Sequence, residues 1–298
     1  MAADWSARQL FEGVKEQAQH YPVLSGVGLV MVCVAGVVGI RYGRRKLRER
    51  RVMRRYGYIP DQLSDLGQVQ AALKRSGLPS SELIVAFDYG ERNCVAGART
   101  FRGENLHRII PDVPNPNPYQ FALFMVGKTM GVFDSDGVIP CYGLCADFSI
   151  LPLGETADID QLLSLYTGIT PKISTVGTPS WKPLIDQAIE HIIETKRFYI
   201  LIVLTTGACD SFEELREALV IASRFPLSIV AIGLGDGPFS ELASIDDEVI
   251  PGRLFDNFQF FNLHSILDNA KFPDVDFALA TLQEIPFQYA AIRQLGLL

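Results

Sequence analysis

Apolar positions follow two rhythms along this chain. The first is one unbroken run, VLSGVGLVMVCVAGVVGI over residues 23–40, which with Tyr21 and Pro22 makes 20 residues without a charge. As a helix rising about 1.5 Å per residue it would cover about 30 Å, the hydrocarbon thickness of a bilayer. A transmembrane helix is therefore predicted over residues 21–40. The second rhythm begins near residue 56 and alternates short continuous apolar runs with stretches of helical period. The runs predict strands over Leu83–Phe87, Val138–Leu144, Tyr199–Leu204, Leu227–Ile232 and Phe258–Phe261. Helices are predicted over Asp61–Ser76, Tyr119–Phe133, Ile159–Leu165, Ser180–Glu194, Phe212–Ser223 and Asp274–Glu284. In the fourth of these, Trp181, Leu184, Ile185, Ala188, Ile189 and Ile192 share one face behind a serine cap. This alternation predicts an α/β fold, a doubly wound and mostly parallel sheet flanked by helices and preceded by the transmembrane helix. Ligands of such sheets sit outside the carboxyl ends of the strands. Here those ends are Asp88, Cys145–Asp147, Thr205–Gly207 and Gly233–Gly237.

Charge refines the picture in two places. Residues 41–55, RYGRRKLRERRVMRR, hold nine Lys and Arg against Glu49 alone. A basic cluster after the apolar run favours a retained anchor over a cleaved signal, and it should stay on the positive-inside face. The expected organisation is a short segment 1–20, the membrane helix 21–40, a basic juxtamembrane segment 41–55 and a domain over 56–298. Residues 41–298 are then expected on the cytoplasmic or topologically equivalent side, a mitochondrial membrane being one candidate. Ala35, Gly39 and Gly43 lie at four-residue spacing, a small face on which another helix can pack. From Tyr56 onward 16 basic residues face 30 acidic ones, so the domain is acidic and nucleic acid is not an expected partner.

Candidate chemistry is sparse. The five cysteines, Cys33, Cys94, Cys141, Cys145 and Cys209, have neither zinc-module spacing nor disulfide density, so reduced thiols are expected. His20, His107, His191 and His264 are dispersed and are read as structural. GLGDGP at Gly233–Pro238 lacks the further glycine of a dinucleotide fingerprint and the Lys-Ser/Thr of a P-loop, which leaves a strand-to-loop turn. Asp134/Asp136 and Asp246/Asp247 are read as solvated loop carboxylates, and FDNFQFF at Phe255–Phe261 as core. No nucleophile elbow is present, and no enzyme activity is predicted.

The stretches YIPDQLSDLGQVQAALKRSGL, LIVAFDYG, NPYQFALFMVGKTMGVFDSDGVIPCYG, PLSIVAIGLGDGPF, LFDNFQF and FALATLQEIPFQY change this reading. Over residues 56–298 they resemble the von Willebrand factor A domain of copines, in particular that of the plant RING-type ubiquitin ligases. The resemblance implies a metal-ion-dependent adhesion site at the top of the sheet. Its pattern is D-x-[ST]-x-S at a strand end, with a threonine from a second loop and an aspartate ending a later strand. Such a set suits magnesium, which wants six oxygens in near-octahedral array.

Asp88 matches the first position, but Gly90 and Arg92 stand at the two hydroxyl positions. Pro179, beside Thr178, takes the place of the loop threonine, and Thr206 that of the later aspartate. The expectation is therefore a metal-free site without a cofactor. Two placements of Arg92 are compatible with the sequence: against Asp88 as a permanent charge partner, or out in solvent. Glu91, Asn93, Asp147 or Asp210 could also assemble a different cation site.

The chain ends at GLL without the RING that follows this domain in the ligases, so ubiquitin transfer by this polypeptide is not expected. The leading expectation is a membrane-anchored interaction or scaffold protein. It would contact protein partners through the top-face loops bearing Asp88, Gly90, Arg92, Thr178, Pro179 and Thr206. The alternatives are an accessory subunit of a large membrane complex, a ubiquitin-ligase component acting with a separate RING protein, and a regulated lipid-binding module.

Overall fold

A computed structural model describes residues 24–78, 81–109, 116–130, 137–146 and 149–298, with side chains from residue 37 onward, Leu66 and Asn269 excepted. The chain divides into two compact units, Met1–Arg51 and Val52–Leu298. Helix α1, Leu24–Tyr56, belongs to the first and ends in the second. The sequence pattern separated a membrane helix ending at Ile40 from a basic segment, yet the helix continues through both. Arg, Lys, Leu and Glu are strong helix formers, and Arg45 and Lys46 both reach Glu49, at 2.8 and 3.7 Å. Among the described residues no helix is long and apolar enough to cross a membrane. Most of the predicted span, residues 21–40, falls outside the residues whose side chains are described.

The second unit is built on six strands, β1 Glu82–Asp88, β2 Ile139–Leu144, β3 Ile150–Thr156, β4 Tyr199–Thr205, β5 Leu227–Gly233 and β6 Phe258–Asn262. Their order is β3-β2-β1-β4-β5-β6, with every neighbouring pair parallel except β2 and β3. Helices fill the connections: α2 Leu66–Ser76, α3 Pro118–Met130, α4 Ile159–Ile169, α5 Lys182–Thr195, α6 Phe212–Ala222 and α7 Ser240–Asp246. Three more close the chain, α8 Leu263–Asn269, α9 Pro273–Leu282 and α10 Ile285–Leu295.

The side-chain period of two splits β1 between the two faces of the sheet. Leu83, Val85 and Phe87 pack with Leu123, Tyr166 and Ile292 from α3, α4 and α10. Ile84 and Ala86 pack with Trp181, just before α5, and with Leu184, Leu219 and Ile245 from α5, α6 and α7. Burial on both faces explains why the central strands read as continuous apolar runs.

Strand β3 escaped the sequence reading. It is an edge strand containing Pro152 and Gly154, largely exposed, and its register against β2 shifts between Cys141 and Tyr142. Proline is tolerated there because an edge strand has free backbone positions. Asp246 also departs from expectation. It is not a solvated loop acid: its carboxylate accepts the Phe260 N–H at 3.0 Å, and burial next to Asp256 pushes its pKa up to about 8. Phe255, Phe258 and Phe261 are buried in the core, as expected of FDNFQFF. Asp134 and Asp136 lie outside the described residues.

Candidate functional site

The chain leaves β1 for β2 on one side and returns to β4 on the other, so the strand order reverses between β1 and β4. A crevice forms at the carboxyl ends of such neighbours. Asp88 ends β1 and Thr205 ends β4, which sets them side by side across the switch point.

Asp88 is 0% exposed. One carboxylate oxygen accepts the Gly90 N–H at 2.7 Å. The other accepts the Thr206 N–H at 2.9 Å, the Thr206 hydroxyl at 2.8 Å and the Thr205 hydroxyl at 3.1 Å. Burial raises the Asp88 pKa above the usual carboxylate range, and these four hydrogen bonds pull against the rise. Arg92 makes no ion pair with it. The guanidinium placement against Asp88 is therefore corrected: neutral donors, not a cation, satisfy the acid. The replacement of a later aspartate by Thr206 removes a like charge and installs a hydroxyl donor in one step.

Gly90 is required by a close approach. A β-carbon there would lie 2.8 Å from Pro179 Cδ and 3.0 Å from an Asp88 carboxylate oxygen. Pro179 thus fills the space that a hydroxyl side chain at position 90 would need. Both substitutions at the site belong to one packing arrangement, and each makes sense of the other.

A second layer of polar groups holds the backbone of Asp88. Its carbonyl accepts Asn93 Nδ2 at 2.8 Å, and His107 Nε2 and the Tyr119 hydroxyl lie 2.8 and 2.9 Å from it. A carbonyl can only accept, so His107 carries its proton on Nε2 and its Nδ1 accepts from the Tyr166 hydroxyl at 2.8 Å. Burial lowers the His107 pKa to about 4, which keeps the ring neutral at physiological pH. The ring is stacked between Tyr89 and Tyr119, with centroids at 4.5 and 4.0 Å. His107 is structural, as its isolation in the sequence implied.

The six residues singled out by sequence are brought together, but at two depths. Asp88, Gly90, Pro179 and Thr206 are buried, whereas Thr178 is exposed and Arg92 half-buried. Arg92 and Thr178 line a cleft of about 640 Å³ together with Glu91, Gly207, Cys209 and Glu241. Only these outer residues are within reach of a partner. Sequence reasoning placed Thr205 at a strand end and read His107 as structural, but tied neither of them, nor Tyr119, to Asp88. The Thr-Thr pair ending β4 was a legible signal for the first; His107 and Tyr119 lie 19 and 31 residues from Asp88, and no local pattern marks them.

The donor set does not fit magnesium. Both Asp88 oxygens are taken by protein donors, no side-chain oxygen is supplied at positions 90 and 92, and solvent does not reach the acid. Of the alternative ligands, Asn93 is engaged with Asp88, Gly90 and Tyr119. Asp210 instead accepts the Ser211 N–H at 2.8 Å, and Asp147 lies outside the described residues. Among the described residues no group of three His, Cys, Asp or Glu is placed to hold a metal ion.

Sheet order, helical layers and an acid facing the end of a neighbouring strand define the class, a von Willebrand A-type α/β domain. The chain belongs to the copine family: the Copine family model matches residues 105–298. It is 40% identical to Copine family protein 2 of Caenorhabditis elegans over 78% of this chain and 3% of that protein. It is 36% identical to the E3 ubiquitin-protein ligase RGLG2 of Arabidopsis thaliana over 84% of this chain and 58% of that ligase. The RGLG3 ligase of the same plant is 35% identical, with 80% and 71% covered. The chain thus spans less than two thirds of the length of the first two of these relatives. Among solved structures it is similar to the SpRpn10 VWA domain at 12% identity, covering 61% of this chain and 87% of that one, with a TM-score of 0.43.

Proposed function

We propose that this protein is a membrane-anchored, non-catalytic interaction module whose adhesion site works without a metal. The observation that carries the reading is the saturation of Asp88 by Gly90, Thr205 and Thr206, which makes the top face a preformed surface and leaves Arg92 and Thr178 to meet a partner. The apolar run at residues 21–40 and the basic cluster behind it are what support the anchor and a cytoplasmic or equivalent side for residues 41–298. The relevant experiment is purification of the full chain in mild detergent with mass spectrometry of what accompanies it. Specific partners lost on Arg92→Glu are expected. Calorimetry adds a second test, because micromolar magnesium binding abolished by Asp88→Ala would overturn the metal-free site. Partners that stay bound at fixed stoichiometry would instead mark an accessory subunit of a larger membrane complex.

A second reading rests on the plant relatives named as ubiquitin-protein ligases. In it the chain presents substrates to a separate RING protein. The chain alone should then be inactive in an autoubiquitination assay, and ubiquitin transfer by the purified chain would sink both readings.

A further inference from the structure

A second groove opens at the same end of the sheet, beyond the carboxyl ends of β5 and β6. It measures about 520 Å³, within the roughly 300–1,000 Å³ of ligand-sized sites. Its apolar surface comes from Phe101, Pro118, Phe121, Leu234 and Leu263, and Arg102, Arg108 and His264 stand around it. One wall is the loop 91–108, which is pinned from the turn after β5: Asp236 accepts the Arg99 and Thr100 N–H groups at 2.8 and 2.9 Å and the Thr100 hydroxyl at 2.7 Å. The groove is therefore built by a held loop.

Charge identifies the occupant. Four of the 16 basic residues beyond Tyr56 fall within these eighteen positions, Arg92, Arg99, Arg102 and Arg108, against Glu91 and Glu104; Arg102 and Arg108 line this groove together with Glu104, while Arg92 lines the other cleft. On a domain with nearly twice as many acids as bases, this loop is a cationic island. Arg99 is committed to Asp236 at 3.7 Å, while Arg102 has no acidic partner among the described residues. Arg108 pairs with Glu104 and His264 with Asp268, both in solvent, where such pairs contribute little and can be exchanged. Arg102 also sits at φ 57°, a left-handed conformation that glycine would adopt without strain.

We propose that this groove binds an acidic peptide segment of a partner protein, with a large apolar side chain against Phe101 and Phe121 and carboxylates on Arg102 and Arg108. An anionic bilayer fits less well, because the acidic body that surrounds the island would be pressed against it. The site is distinct from the Arg92 cleft, so its failure leaves the interaction reading above intact, and that reading has its own co-purification test.

The test is selection of a random twelve-residue peptide display library on the full chain in detergent, followed by anisotropy with the labelled enriched peptides. Enrichment of net-negative sequences bearing a Leu, Phe or Trp is expected. The affinity of such a peptide should fall roughly tenfold or more for the Arg102→Gly/Arg108→Gln variant, steeply with salt, and for Phe121→Ala. Thermal melts identify any variant that fails to fold, and Arg102→Gly, which relieves its own backbone, should melt no lower than the parent. No enrichment, enrichment of neutral or basic peptides, or binding indifferent to these variants would overturn the proposal. So would protection of residues 100–108 from hydrogen exchange by phosphatidylserine vesicles with no acidic peptide selected.

Discussion

Two buried acids of this domain solve the same problem in opposite ways. Asp88 is surrounded by neutral donors, two hydroxyls and two backbone N–H groups, with no cation beside it. Asp256 is paired with a buried guanidinium, Arg253, both at 0% side-chain exposure, and crowded by Asp246 and Glu284. The first arrangement engages both carboxylate oxygens. The second leaves Arg253 Nε and Nη1 and Gln288 Oε1 without partners. Burial raises Asp256 despite Arg253, and raises Glu284 with help from the neighbouring acids. What Asp256 gains is a tether, since its carboxylate accepts the Ile59 N–H at 2.9 Å and its own N–H donates to the Tyr56 carbonyl at 2.6 Å. Hydrogen bonds suffice to bury one acid without an ion; a charge pair is used where an incoming segment has to be fastened.

The contrast can be broken first at Asp88. Asp88→Ala strands four donors in a dry site, and a loss of about 4 kcal/mol is expected in denaturant unfolding. Arg253→Met removes one member of a buried pair and should cost about 3 kcal/mol, with hydrogen-exchange protection lost first around Tyr56–Ile59. Thr206→Val keeps the shape and deletes one donor, so about 1 kcal/mol is expected.

The pH response sharpens the comparison. Asp246 is raised from 3.8 to about 8, so the native state holds a proton that the unfolded chain has released. Its contribution is fully present below about pH 4 and is lost as pH rises through about 8. Stability should therefore decline between these limits, and Asp246→Asn should flatten the decline near pH 8; a midpoint of urea unfolding that rises over that range would contradict the assignment. The smallest effect belongs to Arg92→Ala. With no ion pair to Asp88 to break, it should change stability by less than about 0.5 kcal/mol. A larger loss would restore the charge-partner placement.

Much of this was legible in one dimension. Continuous apolar runs marked β1, β2, β4 and β5, because strands covered on both faces leave few polar positions to interrupt the pattern, and the phenylalanines around Gln259 marked β6. The face from Trp181 to Ile192 marked α5 in the same way. Strand β3 was hidden because an exposed edge carries no such run, and α10 because Pro286 looks like a break when it stands in the first turn.

At the site, the chain by itself showed that Gly90, Arg92 and Thr206 depart from the residue types of the adhesion-site pattern wherever they lie. What surrounds Asp88 was decided only in three dimensions. Thr205, Thr206, His107 and Tyr119 meet Asp88 through contacts 19 to 118 residues apart in sequence, and hydrogen bonds of that reach depend on the register of β1 against β4 and the seating of α3. A residue's chemistry is local, but its partners are chosen by packing.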